Sequence, residues 1–293
     1  MSTIILGGSG FLGPQILKKY PDIISVGRTK PDTAVHHVDC PSVDHLPGVL
    51  DKLDFDKVIM MIGSSNHTIL NTEKPYHIEA MEKNVIPLTK IFTYFKQRPI
   101  KKLISFSSIL LYDRSQMVLP VHEHQPINPY QNNYVFSKYL GEEVAKFYSS
   151  VPNITVRLTN IYGPSTALDR PDLVNQLVEG LVFKKKAQVL NLLPQRDFIY
   201  TKDASEAIVK LLDTDYTGPV NVAAGQIHSV GDIVKILEDE SKIKIEVLNG
   251  AATGHMKFVA DNSLLKSLID WEPKYNLDTG LRETYRKMCE MYR

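Results

Sequence analysis

Short apolar runs alternate with stretches of helical periodicity through the first half of the chain. The apolar runs are rich in β-branched residues and short enough to be buried strands, whereas the longer periodic stretches predict amphipathic helices. The predicted strands cover residues 3–6, 23–26, 35–40, 58–62, 102–106 and 154–158. The predicted helices cover residues 14–19, 43–53, 73–95 and 130–148. Strands and helices that alternate in this way predict an α/β fold with a doubly wound parallel sheet of the Rossmann type.

The pattern changes after residue 160, where helices dominate between short strands. This change predicts two domains in the chain of 293 residues. The larger would span residues 1–160, and a smaller C-terminal α/β domain for the substrate would span residues 161–293. We expect the chain to return in part to the first domain around residues 197–225.

A glycine-rich stretch connects the first predicted strand to the first predicted helix. Gly7, Gly10 and Gly13 follow the strand, with Phe11 and Leu12 between the last two glycines. Glycine lets the backbone approach a phosphate without interference from a Cβ atom, and the first N–H groups of a helix attract negative charge. The spacing is a variant of the dinucleotide fingerprint and predicts a dinucleotide site. The alternative is a tight turn without a ligand.

The end of the second predicted strand bears on the choice of cofactor. In an NAD site, an acidic residue about twenty positions after the glycines binds the ribose 2′-hydroxyl. This chain has Gly27 followed by Arg28 there. A guanidinium can pair with a 2′-phosphate, which a carboxylate would repel. The sequence therefore favours NADP(H) over NAD(H), unless Arg28 is merely a solvated loop charge.

Composition narrows the classes of partner. The chain has 34 basic and 33 acidic side chains, so its charge gives no reason to expect nucleic acid or an anionic membrane. Its two cysteines lie far apart and are expected to be free thiols. No segment is apolar enough to span a bilayer, and the N-terminus leads directly into a strand, so we expect a cytoplasmic protein without a signal peptide. The histidines of residues 122–124 lack a third metal ligand, and no metal is expected.

Two groups of polar residues could carry out chemistry. Ser107 and Ser108 end the fifth predicted strand, at the same edge of the sheet as the glycines. Tyr134 and Lys138 lie four residues apart and project from one face of a predicted helix. A phenol has a pKa of about 10, and a neighbouring ammonium would lower it. Tyr134 could then transfer a proton while Ser108 holds the reacting oxygen. The alternative is packing by the tyrosine and a surface role for the lysine.

Several motifs occur in the order that one family shows. They are the glycine motif, the Ser107-Ser108 pair with Tyr112, the Tyr134-x-x-x-Lys138 pair after two prolines, and the segments 157–164 and 196–203. With these motifs the chain strongly resembles the extended short-chain dehydrogenase/reductases, the NAD-dependent epimerase/dehydratase family that acts on nucleotide sugars. The resemblance covers nearly the whole chain.

The resemblance implies a role for each matching residue. Tyr134 would be the acid/base, Lys138 would bind the nicotinamide ribose and lower the tyrosine pKa, and Ser108 would polarise the reacting oxygen. The implied cofactor contacts also include Asp39 and Cys40 beside the adenine, Met61, Ile62 and Gly63 at the adenosine ribose, and Ser107. The implied substrate contacts are Ser108, Tyr112, Asn160 and Arg196. The resemblance also implies a homodimer through a four-helix interface that includes the Tyr134 helix.

The residues after the paired serines indicate the branch of the family. Dehydratases have an Asp-Glu pair there, and bifunctional epimerase-reductases have a cysteine, whereas this chain has Ile109 and Leu110. What remains is hydride chemistry at one carbon. Arg28 favours an NADP-preferring nucleotide-sugar 4-ketoreductase over a 4-epimerase with tightly bound NAD. A non-catalytic NADP-sensing protein is a further alternative, against which the Ser-Tyr-Lys set argues. Departures from the family at Asp113 and residues 191–195 leave the sugar open.

Overall fold

The computed structural model describes residues 2–64, 78–166, 168, 170–251 and 256–292. The first part of the helix predicted over residues 73–95 lies outside these residues. The strands are β1 (Ser2–Leu6), β2 (Ile24–Gly27), β3 (His37–Asp39), β4 (Phe55–Met60), β5 (Lys102–Ser108), β6 (Asn153–Leu158), β7 (Asn160–Tyr162), β8 (Gln188–Val189), β9 (Gln195–Tyr200), β10 (Gly218–Val222), β11 (Ile227–Ser229) and β12 (Glu246–Val247).

The helices match the predicted ones closely in the first half of the chain. They are α1 (Gly13–Lys19), α2 (Leu46–Leu50), α3 (Ile86–Gln97), α4 (Asn133–Phe147), α5 (Leu173–Glu179), α6 (Thr201–Leu211), α7 (Val230–Ser241), α8 (Ser263–Leu268) and α9 (Leu277–Met291). A short helix (Ile78–Ala80) and a π-helical turn (Met81–Val85) precede α3. The Asn132 side chain caps α4 by accepting a hydrogen bond of 2.9 Å from the Val135 N–H.

A seven-stranded sheet in the order β10-β6-β5-β4-β1-β2-β3 confirms the predicted doubly wound α/β fold. Strands β1 to β6 pair in parallel with one another. The apolar runs form its central strands because both faces of those strands are covered; Ile4, Ile5 and Ile59 are fully buried. The carboxyl ends of β1, β4 and β5 therefore lie at one edge of the sheet, where ligands bind in folds of this kind.

The chain divides into two compact units. The first comprises residues 1–113, 126–158 and 205–220, and the second comprises residues 114–125, 159–204 and 221–293. The core of the first unit includes Ile4, Val58 and Phe92, which lie between the sheet and its helices. The core of the second is built around Tyr162 and Leu237. A three-stranded sheet (β11-β9-β7) and a two-stranded sheet (β12-β8) complete the described strands.

Residues 114–125 belong to the second unit, although the pattern of the sequence grouped them with the first. Glu123 is buried, and its carboxylate accepts a hydrogen bond of 2.8 Å from the Asn221 N–H. The Asn221 side chain donates in turn to the Val121 carbonyl oxygen at 2.9 Å, and Val121 forms a β-bridge with Ala260. These pairings join positions about a hundred residues or more apart, so a change in local composition cannot indicate them.

The described residues contain neither a candidate membrane span nor a candidate metal centre. None of their helices has both the length and the apolar character needed to cross a membrane. In the same residues, no group of three or more His, Cys, Asp or Glu side chains is arranged to hold a metal ion.

Candidate functional site

The glycine loop has the backbone conformation that its sequence predicts. Gly7 has a φ of +77°, and a Cβ atom there would lie 2.8 Å from Ile62 Cγ1. A Cβ atom on Gly13 would lie 2.0 Å from the Gly8 carbonyl oxygen, so only glycine allows α1 to begin this close to the loop. Around Gly10, by contrast, no atom of the other described residues, its two chain neighbours apart, lies within 4 Å of such a Cβ position.

This geometry suits the pyrophosphate of a dinucleotide. Gly7 and Gly13 fold the loop tightly, while the space over Gly10 leaves the backbone open to a phosphate. The loop is tied to its neighbours, since Gly7 N–H donates to the Val26 carbonyl and Met61 N–H donates to the Leu6 carbonyl. Phe11 is half-buried and Leu12 is buried. The residues present therefore fit the cofactor that the family implies.

The turn after β4 is hydrogen-bonded to Asn84, a residue that the sequence analysis did not single out. Gly63 has a φ of +147°, and Ser64 N–H donates a hydrogen bond of 2.7 Å to the Asn84 side chain. Asn84 is buried in the π-helical turn and donates to Ser137 Oγ at 3.0 Å. Ser137 donates in turn to the Tyr134 carbonyl at 2.8 Å. Asn84 thus links the turn beside the glycine loop to the Tyr134 helix.

Met61 and Ile62 lie next to this loop but outside the strand. Strand β4 ends at Met60, two residues earlier than the apolar run predicted, and both residues are half-buried. A last hydrogen bond, from the Met61 N–H to the Leu6 carbonyl at the end of β1, precedes the turn at Gly63. Ser65, which the sequence placed in the same turn, lies outside the described residues.

Arg28, Asp39 and Cys40 lie around the ends of β2 and β3. Gly27 is opposite Asp39 in the parallel register, and Cys40 N–H donates to the Gly27 carbonyl. The Arg28 and Asp39 side chains are both exposed. Burial raises the pKa of the Cys40 thiol, although its hydrogen bond to the Ser42 carbonyl counteracts this effect. Cys40 is therefore a packed, unreactive thiol.

Ser108, Tyr134 and Lys138 come together at the carboxyl end of β5. The hydroxyl groups of Tyr134 and Ser108 are hydrogen-bonded to each other, and both residues are buried. Lys138 lies one helical turn after Tyr134, with its Nζ 5.7 Å from the centroid of the tyrosine ring. The ammonium donates a hydrogen bond of 3.3 Å to the Phe106 carbonyl. The four-residue spacing thus places both side chains beside β5.

Burial dominates the ionisation of this group. Burial raises the pKa of Tyr134 to about 12, and the hydrogen bond with Ser108 lowers it only in part. Burial also lowers the pKa of Lys138 to about 8. Ser108 lowers the tyrosine pKa in the structure, and the lowering by Lys138 that the sequence analysis expected stays a prediction. At pH 7 the phenol is therefore neutral and the ammonium is charged.

Ser107 and Tyr112 flank Ser108 in the chain but have other surroundings. Ser107 is paired in register with Arg157 of β6, and its buried hydroxyl has no hydrogen-bond partner among the described residues. Tyr112 is fully buried, and its hydroxyl accepts a hydrogen bond of 3.2 Å from Arg157. The structure therefore gives the Tyr112 ring a packing position in the core, whereas the sequence predicted a contact with substrate.

Asn160 and Arg196 belong to the second unit, where β7 pairs with β9. Asn160 donates a hydrogen bond of 2.9 Å to the Asp197 carbonyl. Arg196 is half-buried opposite His228 of β11. Burial and the nearby charge of Arg114 lower the pKa of Arg196. Asp197 is fully buried and accepts hydrogen bonds from the N–H groups of residues 224, 225 and 260, which fixes the backbone beside Arg196.

Comparison with known proteins gives matches along the whole chain. The NAD dependent epimerase/dehydratase family matches residues 3–224. UDP-glucuronic acid decarboxylase 4 of Arabidopsis thaliana is 21% identical, over 96% of this chain and 67% of its own. A UDP-glucose 4-epimerase from Thermotoga maritima, solved with UDP-glucose, superposes with a TM-score of 0.91 at 19% identity over both full chains. A Thermus thermophilus UDP-glucose 4-epimerase in complex with NAD gives 0.84 at 18% identity, over 98% of this chain and 99% of its own.

Proposed function

Since the chain belongs to the NAD dependent epimerase/dehydratase family, we propose that it is a 4-epimerase of a nucleoside-diphosphate sugar. The observation that carries the proposal is the hydrogen-bonded pair of Ser108 and Tyr134, with the half-buried Lys138 one turn away. An enzyme needs groups of this kind to remove a proton from a sugar hydroxyl and to return it. The glycine loop in the same unit supports a dinucleotide as the partner in hydride transfer.

The reaction removes one proton and one hydride from the sugar and later returns both. Tyr134, ionised to the phenolate, takes the proton of the substrate hydroxyl, while Ser108 donates a hydrogen bond to the oxygen as it becomes a carbonyl. A dinucleotide held by the glycine loop would supply the acceptor for the hydride from the same carbon, and the donor for its return. After the keto sugar has presented its other face, Tyr134 gives the proton back and the epimer forms. The overall redox change is zero, so the protein needs no second substrate.

Lys138 supplies the positive charge in this scheme. Because burial raises the pKa of Tyr134, formation of the phenolate requires a nearby cation. The ammonium is charged at pH 7, since its pKa is about 8. Within the second unit, the half-buried Arg196 lies close to a second cation, Arg114, and this pair suits an anion such as a diphosphate.

A screen of sugar nucleotides tests the proposal. Purified protein is incubated with UDP- and GDP-hexoses, without added cofactor and again with NAD, and the products are separated by chromatography. Interconversion of two 4-epimers without net consumption of NAD is the expected result. UDP-glucuronic acid is included because one relative is named a decarboxylase of it. Loss of its carboxyl group, or binding without turnover of any sugar nucleotide, would contradict the proposal.

Net reduction of a 4-keto sugar is the second candidate. It is favoured by Arg28, which is exposed directly after β2 where an NAD site would have a carboxylate. A reductase would consume one equivalent of NADPH for each keto sugar and would not interconvert hydroxyl epimers. The same screen separates the two reactions when it includes a 4-keto sugar with NADPH.

We expect NAD rather than NADP to be the preferred cofactor, contrary to the expectation from Arg28 alone. Asp39 lies in register with Gly27 at the end of the neighbouring strand, and its exposed carboxylate would repel a 2′-phosphate. Titration of both dinucleotides in a thermal-shift assay should give the larger stabilisation with NAD. Arg28→Ala should leave the NAD response unchanged. If NADP stabilises the protein more and Arg28→Ala removes that advantage, the reductase becomes the better candidate.

We also propose a homodimer formed through the Tyr134 helix and α3. Phe147 on α4 is 77% exposed, and Ile86 at the start of α3 is 45% exposed. Phe136 and Leu140 continue the stripe of Phe147 at helical spacing and are only half-buried. We expect Phe147→Glu to convert a dimer into a monomer in size-exclusion chromatography with light scattering. Phe183→Glu, at an exposed phenylalanine of the second unit, is the control and should leave the mass unchanged.

A further inference from the structure

One glutamine joins the start of the Tyr134 helix to the turn that follows Ser108. Gln131 lies three residues before Tyr134, at the end of a 3-10 turn (Pro129–Gln131). Its side-chain amide donates to the carbonyl oxygens of Leu110 at 2.9 Å, Asn128 at 2.9 Å and Tyr112 at 3.3 Å. A single side chain thus bridges two segments that carry the proposed catalytic groups.

Leu110 is the residue through which this bridge reaches Ser108. Its N–H donates a hydrogen bond of 3.2 Å to Ser108 Oγ, while its carbonyl accepts from Gln131. The N–H occupies one acceptor position of the serine hydroxyl, which leaves the single hydroxyl proton for Tyr134 or a substrate oxygen. Holding the Leu110 peptide group therefore orients the proton of Ser108.

The turn that follows Ser108 ends at Tyr112, which has contacts independent of Gln131. Arg157 donates to both carboxylate oxygens of Glu142, at 2.9 and 2.7 Å, and to the Tyr112 hydroxyl at 3.2 Å. Glu142 is on the Tyr134 helix, and the side chains of the ion pair are each only 5% exposed. Backbone pairing of Tyr112 with Ile127 completes the anchor. Leu110 packs against the hydrophobic cluster that includes Tyr134, and its peptide groups form hydrogen bonds with the side chains of Ser108 and Gln131.

We propose that Gln131 is a positioning residue, which aligns the Ser108 hydroxyl with Tyr134 by fixing the Leu110 peptide group. The role rests on the proposed function, because alignment matters when this pair transfers a proton. Displacement of a catalytic group by about 1 Å can reduce a rate by about a hundredfold. Loss of the amide should therefore impair the chemical step more than substrate binding.

Gln131→Met tests this role, because methionine keeps the length of the side chain and removes its donors. The matched control is Gln125→Met. Gln125 is a glutamine of the second unit that also holds a loop through its amide, which donates to the Val118 carbonyl at 2.6 Å. We expect Gln131→Met to lower kcat by between about tenfold and a hundredfold with KM nearly unchanged. We also expect the ascending limb of its kcat–pH profile to move to higher pH, because a weaker Ser108 hydrogen bond raises the pKa of Tyr134.

Hydrogen–deuterium exchange gives a measurement that does not need turnover. Residues 108–113 should exchange faster in Gln131→Met than in the wild type and in Gln125→Met. A folded Gln131→Met protein with wild-type kcat and pH profile, or with unchanged exchange over these residues, would overturn the proposal. If the methionine variant does not fold, Gln131→Glu removes the same donors and is judged by the same criteria. Absence of any wild-type turnover would refute the proposed function, while the exchange measurement would still decide the role of Gln131.

Discussion

Tyr134→Phe is expected to lower kcat by between about 10² and 10⁴-fold while the protein still binds its dinucleotide. The substitution removes only the hydroxyl that is hydrogen-bonded to Ser108. The ring, which packs with Leu111 and Val135, remains in place. Without the phenol, no described group bonded to Ser108 can exchange a proton with the substrate. Steady-state kinetics on the sugar nucleotide found in the screen measure kcat. A thermal-shift titration measures binding of the dinucleotide.

Tyr130→Phe is the matched control for this substitution. Tyr130 lies four residues before Tyr134 and is 82% exposed, so loss of its hydroxyl should leave kcat unchanged. Wild-type turnover in Tyr134→Phe would mean that another group transfers the proton, and the proposed mechanism would then be wrong. A large loss in both variants would indicate damage to this part of the fold and would equally count against the assigned role.

The second large effect concerns stability. Arg157→Met is expected to lower the free energy of unfolding by about 3–5 kcal/mol, because it leaves the Glu142 carboxylate buried without its ion-pair partner. Burial opposes the charge on Arg157, yet Glu142 and Tyr112 outweigh it and raise the pKa of the guanidinium. Arg157 is therefore charged in the folded protein. Urea denaturation of the wild type and of the variant gives the difference in the free energy of unfolding.

A double variant separates the cost of one unpaired buried charge from the contribution of the intact ion pair to stability. Glu142→Leu combined with Arg157→Met removes both buried charges, and should recover most of the stability lost by Arg157→Met alone. Lys146→Met is the control on the same helix, since Lys146 pairs with Glu143 at the surface with 65% of its side chain exposed. It should change the stability by less than about 1 kcal/mol. If Arg157→Met behaves like this control, the buried pair does not stabilise the fold as argued.

The fold could be predicted from the sequence where local pattern and structure coincide. Gly7, Gly10 and Gly13 predicted a turn whose geometry the structure reproduces, because their conformation depends on the next few residues. The four-residue spacing of Tyr134 and Lys138 placed both on one helical face, and β5 supplied Ser108 at the correct end of the sheet. Periodicity is sufficient for such features.

Features that depend on distant contacts could not be predicted in this way. Asn84 and Gln131 make their decisive hydrogen bonds to residues 53 and 21 positions away, and neither belongs to a motif that marks it. The family resemblance implied that Tyr112 contacts substrate, but its ring is buried in the core, where Arg157 donates to its hydroxyl. The pKa of Tyr134 depends on burial, which a helical spacing does not measure.

The division of the chain into two units also affects its synthesis. Strand β6 ends at residue 158, whereas β10, its neighbour in the sheet, begins at residue 218. At about 5–20 residues per second, the ribosome adds the intervening segment in roughly 3–12 seconds. During that time the outer edge of β6 has no strand beside it, and an exposed edge can pair with another nascent chain. Chaperones that bind nascent chains would therefore be most useful between the emergence of β6 from the ribosome and the emergence of β10.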